Sequence, residues 1–167
     1  MRVGGRTAPA PPAPAPHSAA PCDPAGIVPR MSRTRWDAVR DGDVRMPVNE
    51  TLGFELDRSA DGVAYEWTVP AEYCHGAGNV QGGMLAAFAD AVLGAVAASE
   101  LPEDRYPVLA EMKIQILRPA PAGARLRATG RVVKAGRRVT FTEAEITDTE
   151  TGKLIAKATG TGLSTEA

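Results

Sequence analysis

Residues 82–99 form an eighteen-residue segment, GGMLAAFADAVLGAVAAS, in which Asp90 is the only charged residue. The segment predicts one long helix whose apolar side chains lie on every side, and a helix of that kind has to be enclosed by other parts of the protein. An ionised carboxylate in such surroundings costs roughly several kcal/mol unless it is paired, hydrogen-bonded or neutralised. Asp90 is therefore the first candidate functional residue.

The first thirty residues differ in composition from the rest of the chain. Residues 1–30 hold eight of the fourteen prolines and few side chains that a core could bury. Such a tract cannot offset the entropy of ordering it, so we predict a disordered leader, with Met31 as an alternative translation start. We expect a short helix and linker over 31–50 and one domain over 51–164.

Composition excludes several classes of partner. The net charge is −1 and no run of Lys and Arg is present, which argues against binding to nucleic acid. The two cysteines, Cys22 and Cys74, form neither a zinc spacing nor a disulfide framework, so we predict a reduced, cytoplasmic protein without a metal or a cofactor. The 82–99 segment is mostly Ala and Gly with Asp90 at its middle, which favours a helix in a soluble core over a membrane span.

The remaining patterns predict strands around this helix. A helix over 32–42 and a linker over 41–49 come first, and alternating residues then predict strands over 52–59 and 62–70. After the long helix, similar patterns predict strands over 107–118, 124–135, 138–148 and 153–163. The order β-β-α-β-β-β-β suggests an α+β fold in which a curved antiparallel sheet, ending in a four-stranded meander, wraps the helix. Because one sheet face cannot cover a helix that is apolar all round, we expect a second subunit to cover the rest.

Four segments of the chain resemble a known family. They are GNVQGGMLAAFADAVLG, EMKIQILRPAPAG, GRVVKAGRRVTFTEAEI and GKLIAKATGT, and together they span most of residues 50–163. They resemble the hotdog-fold acyl-CoA thioesterases, and within them the phenylacetic-acid-degradation-type branch of the hydroxybenzoyl-CoA thioesterase superfamily. The resemblance implies a hotdog fold, hydrolysis of an acyl-CoA to a carboxylic acid and CoA, and a homodimer or a dimer of dimers.

The resemblance also assigns roles to individual residues. Asp90 matches the catalytic carboxylate, which acts as nucleophile or as general base, and the N–H of Gly82 matches the oxyanion donor. Gln81 and Gly83 complete the motif around it. Eight residues separate Gly82 from Asp90, about 12 Å along one helix, so a shared site requires one of them from each subunit.

Two positions depart from the family pattern. His75 stands where relatives usually carry Asn or Gln to orient the thioester or the water, and a neutral imidazole can donate a similar hydrogen bond. Leu109 stands where many relatives carry Thr or Ser near the carboxylate, so a polar group that could position water is missing.

The substrate contacts are less specific in the sequence. Arg137 and Arg138, with Lys134, are candidates to bind the CoA phosphates, because arginines at a turn can hold phosphate bidentately. Candidates to line an acyl pocket are Tyr65, Trp67, Met84 and Phe88. The acyl group stays open, and two other functions stay open as well: an acyl-CoA-binding module without catalysis, and a hydratase or dehydratase of the same fold.

Overall fold

The computed structural model describes residues 33–166, so the predicted leader lies outside the described residues. Two short helices come first, α1 (Arg35–Asp41) and α2 (Pro47–Leu52), followed by strands β1 (Glu55–Leu56) and β2 (Val63–Thr68). A 3₁₀ turn at Ala71–Tyr73 precedes the long helix α3 (Gly82–Ala98). Four strands complete the domain: β3 (Arg105–Ile116), β4 (Arg125–Ala135), β5 (Val139–Asp148) and β6 (Leu154–Glu166).

The predicted order of strands and long helix is confirmed, and the differences are local. The linker predicted over 41–49 contains the start of α2, where Pro47 occupies the first helical position and Gly53 ends the helix in the left-handed conformation at φ +75°. β1 has only two residues in place of the eight expected over 52–59, because the end of α2 with its Gly53 cap takes up the beginning of that segment and a turn takes up its end.

The six strands form one antiparallel sheet in the order β1-β2-β4-β5-β6-β3. The predicted four-stranded meander is therefore wrong in one respect: β3 pairs with β6 at the sheet edge, and β4 pairs with β2 and β5. Between β3 and β4, prolines 119 and 121 lack the N–H groups a tight hairpin would need. Instead, this connection joins the loop before α3, where Val80 N–H donates to Ala120 O at 2.8 Å and Ala122 N–H to Gly78 O at 3.2 Å.

α3 packs closely on the sheet because the strands below it carry small residues. Gly130 in β4 lies beside Ala144 in β5, which in turn lies beside Ala158 in β6. A Cβ atom built on Gly130 would lie only 2.7 Å from Val96 Cγ2 of the helix. One side of α3 is thereby buried, through Leu85, Phe88, Ala89, Val92, Leu93, Val96, Ala97 and Ala98.

The opposite side of α3 is not covered within one protomer. Gly83 and Asp90 are exposed there, and Ala87, Ala91 and Gly94 between and beyond them are half-buried. The sheet therefore covers only one side of the helix within the single chain, as expected from the sequence. The Asp90 carboxylate, however, is exposed there and not sunk in apolar surroundings. Small side chains on this side leave it open, so any further cover has to come from outside the described chain. No helix within residues 33–166 is both long and apolar enough to cross a membrane.

Candidate active site

Asp90 lies at the mouth of a cavity of about 370 Å³ between α3 and the segment that contains α1 and α2. The helix contributes Ala91, Gly94, Ala95 and Ala98 to its wall, a stripe that runs from Asp90 toward the end of α3. Leu109 of β3, the departure noted in the sequence, lines the same cavity as Asp90. A cavity of this size falls in the range of ligand pockets, about 300–1,000 Å³.

The surroundings of Asp90 favour its protonated form. Although the side chain is exposed in the protomer, the neighbouring protein removes part of its water and raises the pKa of the Asp90 carboxyl above its usual value. A carboxylate with a raised pKa accepts a proton more readily than a fully solvated one. That property suits a general base and a carboxylate nucleophile alike.

The glycine motif forms the beginning of α3. Gly82 and Gly83 are its first two residues, and among residues 33–166 nothing accepts a hydrogen bond from either N–H. The exposed Gln81 precedes them, and its side chain does not cap the helix, so its amide remains available. Nothing lies within 4 Å of a Cβ built on Gly83. The helix start therefore presents free N–H donors and the positive end of the helix dipole to an approaching group.

The helix start and Asp90 do not meet within one protomer. Both belong to the continuous helix α3, eight residues apart, which is about 12 Å along its axis. Gly82, Gly83 and Gln81 are absent from the residues that line the Asp90 cavity. A site that uses both ends thus needs a second copy of the chain, and this stays a prediction.

His75 lies in a tight loop that leads into α3. Its N–H donates to Asn79 O at 2.9 Å, Gly78 N–H donates to His75 O at 2.8 Å, and Gly78 takes a φ of +77° to close the turn. The exposed imidazole accepts a hydrogen bond at Nδ1 from Ala77 N–H, 3.2 Å away. In a neutral ring this leaves the proton on Nε2, which can donate outward.

The three basic candidates lie together at the hairpin between β4 and β5. Lys134 is near the end of β4, and Arg137 and Arg138 follow in the turn before Val139; all three are exposed. None of them forms an ion pair with another residue of the described part of the chain. Their charges are therefore free to meet an anion.

The predicted pocket residues divide between core and cavity. Trp67 and Phe88 pack with Phe54 in the core, with ring centroids 4.9–5.4 Å apart, and Met84 is half-buried beside them. Of the four candidates, only Tyr65 lines the Asp90 cavity.

Sequence reasoning missed two buried polar residues in the wall of this cavity. They are Arg35 of α1 and Asn49 of α2. Both lie in the segment read as an N-terminal helix and linker, where no local pattern indicates contact with α3.

Comparisons with known proteins agree with this architecture. The family model of the thioesterase superfamily matches residues 77–155. A phenylacetic acid degradation-related protein from Ralstonia eutropha JMP134 is 29% identical, with 77% of this chain and 98% of that chain covered and a TM-score of 0.68. A thioesterase family protein from Silicibacter pomeroyi is 27% identical over 80% of this chain and 99% of that chain, with a TM-score of 0.71.

A third solved structure contains a ligand. It is a hypothetical thioesterase protein from Streptococcus pneumoniae TIGR4 with coenzyme A, 27% identical over 68% of this chain and 89% of that chain, with a TM-score of 0.60. A search of the curated proteins gives no significant match. The sheet wrapped on one helix, the glycine motif at the helix start and these matches lead to one conclusion: the chain belongs to the thioesterase superfamily and is a thioester hydrolase with the hotdog fold.

Proposed function

We propose that this thioester hydrolase cleaves acyl-CoA, and that Asp90 of one protomer works with the helix start of another. The observation that carries the proposal is the position of Asp90 at the mouth of a cavity, about 12 Å along α3 from the free N–H of Gly82. Water supplies the hydroxyl of the released acid, and CoA leaves as the thiol. Asp90 either removes the proton from that water or attacks the acyl carbon itself.

The Gly82 N–H is the donor for the developing oxyanion. It lies at the positive end of α3 and has no acceptor among the described residues, so it needs no rearrangement to receive the charge. His75, through Nε2–H, and the Gln81 amide orient the thioester or the water beside it, with the open Gly83 allowing close approach. Lys134, Arg137 and Arg138 bind the CoA phosphates.

The role of Asp90 is tested by following thiol release from short, medium, branched and aromatic acyl-CoAs. Asp90→Asn is expected to lower kcat by about 10²–10⁴, the usual contribution of a positioned base. Asp61→Asn is the matched control, because Asp61 is an exposed aspartate in the turn before β2. Equal rates for wild type and Asp90→Asn would remove Asp90 from the mechanism. An enoyl-CoA is included as a further substrate, because loss of its absorbance without thiol release would instead indicate a hydratase.

The role of Gly82 is tested by deleting its N–H. Gly82 is the first residue of α3 and follows Gln81 in an extended conformation (φ −66°, ψ 134°), a position that accepts proline. Gly82→Pro should leave the helix intact and lower kcat by about 10²–10³, as does loss of one oxyanion donor. Gly82→Ala keeps the N–H and is the matched control, with its Cβ 3.0 Å from the mobile end of Ile116.

Mixing the two inactive variants tests whether a site is shared between protomers. A mixed dimer of Asp90→Asn and Gly82→Pro chains keeps one site with both groups intact. Random exchange should then restore about a quarter of the wild-type rate, because half of the dimers are mixed and each has one working site of two. No recovery in dimers proven to be mixed would show that both groups act from the same chain.

The CoA contacts are tested separately from the chemistry. Arg138→Ala and Arg137→Ala should raise KM up to about tenfold at unchanged kcat, since each removes one charge-assisted contact to phosphate. Arg131→Ala is the control, because Arg131 lies on β4, just before the turn that holds Arg137 and Arg138, and is paired with Glu143. A KM unaffected by both Arg137→Ala and Arg138→Ala would show that the phosphates bind elsewhere.

A further inference from the structure

Besides Asp90 and the exposed Tyr106, three polar side chains line the cavity, and all three are deeply buried. They are Arg35, Asn49 and Tyr65, which are only 8%, 5% and 2% exposed. Polar groups so deeply buried normally have hydrogen-bond partners within the protein. Two of these three side chains, however, each have one nitrogen atom without a hydrogen-bond partner.

The unpaired atoms are Nε of Arg35 and Nδ2 of Asn49. Among the residues that the structure describes, these are the only buried side-chain nitrogen or oxygen atoms without a hydrogen-bond partner. Both belong to residues that line the cavity of Asp90, and the two atoms are closed off from it in the free protein, so a ligand group in the cavity completes them only when the side chains turn toward it. A buried donor left unpaired is costly, so its retention calls for an explanation.

The three side chains share one chemical property: all can donate hydrogen bonds. The Arg35 guanidinium is always charged, and it stacks on the Tyr106 ring with Cζ 3.6 Å from the centroid. Arg35 forms no ion pair with a carboxylate of the described residues. Burial raises the pKa of Tyr65 to about 12, so the phenol keeps its proton. The Asn49 amide lies close enough to Tyr65 to oppose this shift in pKa, but no hydrogen bond of normal geometry joins the two side chains. The three side chains thus offer hydrogen-bond donors, and Arg35 adds a positive charge that no carboxylate of the described residues neutralises. This combination favours a negatively charged ligand group that accepts hydrogen bonds.

Arg35 is held by the segment that follows α3, whereas Asp90 lies near the middle of that helix. Its N–H donates to Leu101 O at 2.9 Å and its Nη1 to Glu103 O at 3.0 Å, both just after the end of α3. The cavity wall on α3 runs from Asp90 to Ala98, eight residues or about 12 Å. An acyl group with its thioester at Asp90 would therefore extend along the small residues of α3 toward Arg35.

We propose that the acyl group carries a second carboxylate at its far end, so that the substrate is the CoA monothioester of a dicarboxylic acid, selected by Arg35 and Asn49. This inference rests on the proposed acyl-CoA hydrolysis. The Asn49 nitrogen is enclosed in the free protein, but the amide torsion is broad and lets it turn to a carboxylate oxygen in the cavity. Hydrolysis adds water across the thioester alone and leaves the far carboxylate unchanged.

The test compares two CoA thioesters with the same number of carbon atoms, adipoyl-CoA and hexanoyl-CoA, by thiol release from the full chain. We expect kcat/KM to be about 10- to 100-fold higher for adipoyl-CoA, the usual effect of hydrogen bonds to a charged group. Arg35→Met should reduce this ratio to near one. Arg40→Met is the matched control, because Arg40 is an exposed residue of the same helix paired with Asp37, and it should leave the ratio unchanged.

A second variant keeps the test valid if Arg35→Met fails to fold. Asn49→Leu keeps the branched shape of the side chain and removes its donor, so it should lower the preference for adipoyl-CoA. Because leucine is larger than asparagine, a modest fall in melting temperature is expected from overpacking, and it affects both substrates alike. A purely structural role of Asn49 would change both substrates equally. Hexanoyl-CoA hydrolysed as well as or better than adipoyl-CoA would overturn the inference and leave the proposed function standing. Failure of Asp90-dependent hydrolysis with every acyl-CoA would overturn both.

Discussion

Replacement of Gly130 by alanine tests the close packing that sets the height of α3 above the sheet. The added Cβ would lie 2.7 Å from Val96 Cγ2, 2.9 Å from Val92 Cγ1 and 3.1 Å from the backbone oxygen of Glu143. Carbon atoms prefer separations of about 3.5–4.0 Å, so the helix contacts overlap by roughly 1 Å. Neither neighbour can turn away easily, because β-branched valines have few rotamers and both are fully buried.

The expected loss of stability follows from two opposing effects. Overpacking of this kind costs about 1–3 kcal/mol. Replacing glycine also restricts the unfolded chain, which returns about 0.4–1 kcal/mol, so the net loss should be about 1–2 kcal/mol. For a domain of this size that corresponds to a melting temperature lower by about 3–10 °C. Because α3 carries both Gly82 and Asp90, lifting it should also lower kcat.

Urea unfolding of wild type and Gly130→Ala measures the loss, and Val96→Ala identifies its cause. Removing the nearest methyl groups should make the alanine at 130 less harmful, so that the double variant is more stable than the sum of the single changes predicts, by about 0.5 kcal/mol or more. Gly83→Ala is the control, because its Cβ meets nothing within 4 Å, and it should gain about 0.5–1 kcal/mol. A Gly130→Ala protein as stable as wild type would refute the close approach of β4 and α3.

Three further predictions concern stability. Because the folded-state pKa of Asp90 is raised, ionisation destabilises the fold as pH rises above the ordinary aspartate pKa of about 3.9, so Asp90→Asn should be more stable than wild type at neutral pH and equal to it in acid. Hydrogen bonds from Ser59 and then Arg127 lower the pKa of Asp57 to about 2, so Asp57→Asn should be less stable at neutral pH, and the difference should vanish as pH falls from about 4 to about 2. Urea midpoints across this pH range test both signs. Thr34 caps α1 by accepting from Asp37 N–H at 3.1 Å, so Thr34→Ala should cost about 1 kcal/mol in the same assay, and no loss would show that α1 contributes little to stability.

Local patterns in the sequence were sufficient for the element order and the spacing along α3. Alternation of apolar residues predicts β2 and β4–β6 to within a few residues, because a strand with one buried face repeats every second residue. The segment 82–99 predicts α3, and the rise per residue then fixes the separation of Gly82 from Asp90 without any tertiary information.

Tertiary structure decided what no local pattern encodes. The placement of β3 beside β6 depends on a connection held by hydrogen bonds to the loop before α3, and those bonds join residues about forty positions apart in the chain. The open side of α3 and the cavity at Asp90 depend on how α1 and α2 pack against it, which brings Arg35 and Asn49 to a helix far away in sequence. The periodicity of a sequence predicts which face of a helix or strand is apolar, but the element that packs against that face depends on the folding of the whole chain. The residues around Asp90 could therefore be identified only from the tertiary structure.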